Sequence, residues 1–239
     1  MLHENGPGIF LLLAVSGCLW YLWPHATPGG ETVIWKETWM SKDSLWDNES
    51  APAWRAALDA YGDVIARQGV EKLPVLDSWY RDELPALVAA RKPAYMTYAE
   101  LVRVTEWKMA RGVWRAPNLV LVRSNPADFV EETSAAAFAK VPHPSEPIAT
   151  LAKLAGVGPA TASAAVNPVD PSVYPFFDEL VAAQVPGLGQ VKFTPREYAR
   201  YADALRKRAT LLGGLWSASD VERALWAHVG GKGRVHVGP

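Results

Sequence analysis

Pro147–Val166 reads PIATLAKLAGVGPATASAAV. Leu151 and Leu154, three apart, give its first half an apolar helical face. Gly156 ends that helix and can take a left-handed backbone. Gly158 lets a partner approach the backbone closely, and Pro159 suits the first position of a second helix. The small side chains from Ala160 to Ala165 let two helices pack tightly. Free N–H groups at the start of the second helix would point outward, where the helix dipole favours an anion such as a phosphate. Gly156, Val157, Gly158, Ala160 and Thr161 are therefore candidate contacts to a nucleic-acid backbone, a contact blind to base identity. The competing reading is a helix–Gly-x-Gly–helix corner used only for packing.

Outward from this stretch the pattern is helical on both sides. Trp54, Ala57, Leu58, Tyr61 and Ile65 follow three-to-four spacing. Trp79, Leu84, Leu87 and Val88 suggest a helix interrupted near Pro85. Thr97–Glu100 and Thr194–Glu197 have the form of capping boxes, the second with Pro195 at the first helical position. Asn125–Pro126 reads as a cap and first-turn proline for a helix over 129–138, and Ser219–Glu222 opens a last short one. No alternating strands and no internal repeat are found. The expectation is an all-α domain of about eight helices over 51–229, with the corner at 147–166 exposed, an extension over 1–50 and a tail over 230–239.

The chain has 239 residues and a net charge of −1, so bulk charge gives no reason to expect a nucleic-acid partner. Its distribution does. Lysine and arginine gather in 91–123, where Glu100 and Glu106 are the only acids, and again in 192–208. Lys108, Arg111 and Arg115 recur at helical spacing and can form one face, either toward phosphates or simply solvated. Cys18 is the only cysteine, so an intrachain disulfide, a cysteine zinc site and an iron–sulfur cluster are not expected, and the five histidines have no metal-ligand spacing. No cofactor is implied. Gly8–Trp23 is mostly apolar but shorter than the ~20 residues a spanning helix needs, and no basic residue precedes it. It reads as a poor signal or anchor, a sheltered helix, or an extension outside the fold.

The string L-x-x-L-x-G-V-G-x-x-T-A resembles the hairpin of the helix-hairpin-helix DNA glycosylase superfamily, which includes endonuclease III-like, adenine-removing and alkyl-base-removing enzymes. Glu106–Gly112, with Arg115 and Pro117, resembles a little-characterised eukaryotic branch carrying this hairpin. The resemblance covers roughly 95–185 and implies a glycosylase-like helical fold, DNA as partner and a role in DNA repair, in the nucleus or cytoplasm. It also implies a lysine two residues past the second hairpin glycine and a catalytic aspartate eighteen further on. These positions fall on Ala160 and Asp178. The aspartate matches and the lysine does not, so no Schiff base can form at Ala160 and no lyase activity is expected. What remains fits a monofunctional glycosylase, in which the Asp178 carboxylate opposes the positive charge growing on the sugar. The alternatives are a cap or surface carboxylate at Asp178, with Glu179 as substitute, and a catalytically inactive glycosylase-fold module binding DNA or a protein. Trp107 and Trp114 are candidates for base stacking or for the core. Tyr174, Phe176 and Phe177 are candidates for a wedge or for the core.

Overall fold

A computed structural model describes residues 44–232, all within Met40–Pro239, the second of the two units into which the chain divides. Gly8–Trp23, Cys18 and residues 233–239 of the expected tail lie outside the described residues. The described residues are all-helical, with no strand among them. A 3-10 turn, Leu45–Asp47, leads to α1 (Ala51–Asp59), α2 (Tyr61–Ala66) and α3 (Leu73–Ser78). A π-helical turn, Trp79–Glu83, joins α3 to α4 (Leu84–Ala89). There follow α5 (Tyr98–Arg111), α6 (Ala116–Arg123), α7 (Ala127–Phe138), α8 (Glu146–Leu151), α9 (Pro159–Val166), α10 (Glu179–Ala182), α11 (Pro195–Leu212) and α12 (Ala218–His228). Helices are more numerous than expected partly because 51–66 breaks at Ala60. No helix among the described residues is long and apolar enough to cross a membrane.

Local chemistry explains most starts. Thr97 and Thr194 each accept a bond from the backbone N–H three residues on, and Glu100 and Glu197 each bond back to the cap N–H. Two expected caps are built differently. Ser217, not Ser219, opens α12, with Asp220 completing the box. Ser219 is instead buried beside Asn167, and Glu222 is needed inside the core. Asn125 does not cap α7, whose N-cap is Pro126. Its amide donates to the Val122 and Ala155 carbonyls and accepts the Ala155 N–H at 2.9 Å, tying the end of α6 to the loop after α8.

In the core, α1 and α11 lie on α12, α7 covers α8, and α5 packs on α3, α6 and α9. Trp54, Trp107 and Trp226 are wholly buried, and Tyr80 stacks on Trp107 with ring centroids 3.7 Å apart. The expected start at residue 51 is a few residues late. Leu45 is already in the core, and Arg208 donates to the Trp46 carbonyl at 2.7 Å. The expected tail also begins too early, since the Gly230 carbonyl accepts from Gln68 and Lys232 pairs with Glu179 at 2.8 Å.

Gly156 shows why the corner needs glycine there. Its φ is +73°, and a Cβ would meet the Asn118 carbonyl oxygen, the Leu121 Cβ and the Val122 nitrogen at 2.9 Å each. Backbone of α6 cannot yield as a flexible side chain would. Gly156→Ala is expected to cost about 3 kcal/mol, from overpacking plus left-handed strain, read as a lowered urea midpoint at unchanged slope. A loss below about 1 kcal/mol would mean that α6 gives way easily.

Candidate functional site

The corner consists of α8, the loop 152–158 and α9. Leu151, Leu154 and Val157 point into the core, so Val157 offers a partner its backbone alone. Gly158 caps α9 with no side-chain bond, is exposed, and has nothing within 4 Å of where a Cβ would stand. Its φ of −88° suits any residue, so neither packing nor backbone strain demands glycine there. The N–H groups of Ala160 and Thr161 lie in the first turn of α9, without intrahelical partners.

The segment bearing Asp178 is pinned along α9. Asn167 donates to the Tyr174 carbonyl at 2.8 Å, Ser163 Oγ accepts the Phe177 N–H at 3.0 Å, and the Tyr201 hydroxyl donates to the Phe176 carbonyl at 2.7 Å. Small residues at 162–165 allow this close approach, and all four are buried. Tyr174, Phe176 and Phe177 are core residues rather than a surface wedge. Asp178 caps α10, accepting the Leu180 N–H at 2.8 Å and the Val181 N–H at 3.4 Å, and is only 6% exposed. Burial raises its carboxyl above the ordinary aspartate value, opposed by the Arg111 charge and by the two N–H bonds.

A cavity of about 240 Å³ opens where these parts meet. Gly158, Ala160 and Thr161 form one wall, Asp178 and Glu179 another, and Phe176, Phe177 and Phe193 supply apolar surface. Phe193 holds φ at +57°, a backbone state that is strained for an aromatic residue. Lys108, Arg115 and Lys232 bring positive charge. Lys108 Nζ donates to Thr161 Oγ1 at 3.0 Å, and burial, aided by Arg115, pushes its ammonium down to about 8.

Six of the expected residues are thus gathered around one space: Gly158, Ala160, Thr161, Lys108, Arg115 and Asp178. Gly156 and Val157 shape the loop instead. Arg111 is a correction, since it lies 1% exposed beneath the site and reaches no surface partner. Its guanidinium bonds Glu222 at 2.5 Å and lies over Trp226 at 4.4 Å, because helical spacing turns it inward with Trp107 while Lys108 faces the cavity. Trp107 is core, donating to Asp77 at 2.7 Å, whereas Trp114 is 48% exposed, with Lys72 over its ring. Sequence reasoning missed Phe193 and Lys232. Phe193 carries no signal before a capping box, and Lys232 lies in a glycine-rich stretch that reads as tail. Comparison with protein-family models, with curated proteins and with solved structures finds no match.

Proposed function

We propose that this protein binds DNA through the corner at 156–161 and removes an altered base, with Asp178 stabilising the positive sugar as the base departs. The observation that carries this reading is the cavity itself, which joins unpartnered N–H groups and lysine and arginine charge to a buried carboxylate. A base can be removed only once it is turned out of the duplex into a pocket. Here the aromatic walls suit a base face, the start of α9 suits the adjoining phosphate, and Asp178 lies between them. The open space at Gly158, which folding does not require, is where a backbone would come closest.

The test uses oligonucleotide duplexes carrying a panel of damaged bases. Base release is read as alkali-labile strand breaks, and binding is read separately over a salt series. Binding should be sequence-tolerant and weaken as salt rises. Gly158→Asp should weaken it by about fivefold or more, since a charge about 4 Å from a phosphate opposes it by ~1 kcal/mol even in water. Aspartate is also a good N-cap, so the fold should not suffer. Equal affinity of the variant and the wild type would remove the corner from the interface. Release of no base, by a protein that binds DNA, would leave a binding module.

A further inference from the structure

The cavity contains a nucleophile that the reading above leaves idle. Lys108 projects from α5 and is held by Thr161 Oγ1, one residue from the alanine at position 160. Among the described residues it makes no ion pair. The other lysine at this cavity, Lys232, is bound to Glu179, and Arg115 cannot shed its proton. Lys108 therefore combines access to the cavity, a hydroxyl that orients its amine, and surroundings without a carboxylate partner to hold its proton.

We propose that Lys108 is a covalent nucleophile, its Nζ condensing with the aldehyde carbon of an abasic deoxyribose lodged in the cavity. This rests on the DNA reading above and extends it from base removal to the product that base removal leaves. The neutral amine attacks the carbonyl carbon, a C–N bond forms, and the carbonyl oxygen leaves as water with the two amine protons, giving an imine. Protonated from solvent, the imine draws electrons from the neighbouring carbon. A water then takes the C2 proton, the C3–O bond breaks, and the 3′ phosphate departs with the bonding pair. Hydrolysis of the imine returns the free amine. No oxidant or reductant is consumed. The neutral amine that the first step needs is accessible near pH 8, because burial and the Arg115 charge disfavour the ammonium. The other charges around the cavity, Asp178 opposite and the paired Glu179 and Lys232, are in place in the same pH range.

The experiment incubates the full chain with a duplex bearing one abasic site, in the presence of sodium borohydride, which reduces an imine to a stable amine link. Adduct is measured against DNA bound. The expected result is a covalent protein–DNA species whose modified peptide, by mass, is Val104–Arg111 linked through Lys108, with trapping that rises as pH passes through about 8. Lys108→Arg keeps the charge but offers no nucleophile, and its adduct should fall to background. The peptide mapping is made on the wild type and needs no variant to fold. An adduct on another amine, an undiminished adduct in Lys108→Arg, or bound abasic DNA without adduct would overturn the assignment while leaving the DNA reading standing. Failure to bind DNA at all would overturn both.

Discussion

Asp178→Asn is expected to lower base release at least about a hundredfold, on the order of 3 kcal/mol of transition-state stabilisation, with DNA binding retained. The amide has nearly the same shape and still accepts the Leu180 and Val181 N–H bonds, so the cap of α10 survives. It cannot supply negative charge opposite the sugar, in a site where burial makes that charge count for more. The wild-type rate should also fall in acid, since the carboxylate must be ionised, and the midpoint should lie above the ordinary aspartate value because burial raises it. Single-turnover release measured across pH checks both statements. Unchanged release by Asp178→Asn would move the chemistry elsewhere, with Glu179 next to be replaced.

Glu222→Ala should destabilise the fold by about 3–5 kcal/mol, the range for removing one partner of a buried ion pair. Glu222 is fully buried and bonded to Arg111, and Arg81 stands 3.8 Å from its second oxygen. Its loss would leave the Arg111 cation inside the core, compensated only by the rings around it. Arg81 would keep Asp77 and the Tyr61 hydroxyl. Replacing the pair together, Arg111→Met with Glu222→Leu, should restore much of the loss, because two apolar side chains need no partner. Equilibrium urea unfolding of both variants decides the matter. A single variant within about 1 kcal/mol of wild type would show that the network is relieved by rearrangement or water.

The helical class and several element boundaries were legible because they depend on neighbours in the chain. Thr97 with Glu100 and Thr194 with Glu197 satisfy backbone groups within one turn, and such contacts form whatever the rest of the molecule does. The apolar faces of Leu151 and Leu154 in the corner, and of Leu101 and Val104 in α5, were legible for the same reason. Asn125 and Ser219 misled, because each has the chemistry of a cap but is claimed by a residue far along the chain, Asn125 by Ala155 and Ser219 by Asn167. A local preference worth about 1 kcal/mol yields when burial would otherwise leave a distant polar group unpaired.

Of the candidate site, the sequence alone determined the glycine-rich corner, an acidic residue at position 178 and a lysine and arginine run ahead of them. Only the tertiary structure decided which of these side chains share a space. Lys108 and Arg111 are one helical turn apart on α5, yet α9 draws the first to the cavity through Thr161, while α12 takes the second into the core through Glu222. Phe193 and Lys232 join the cavity from positions that no local pattern marks. Spacing along a helix fixes the angle between two side chains, but which side faces a ligand is set by what the other helices bury, and that depends on contacts between residues far apart in the chain.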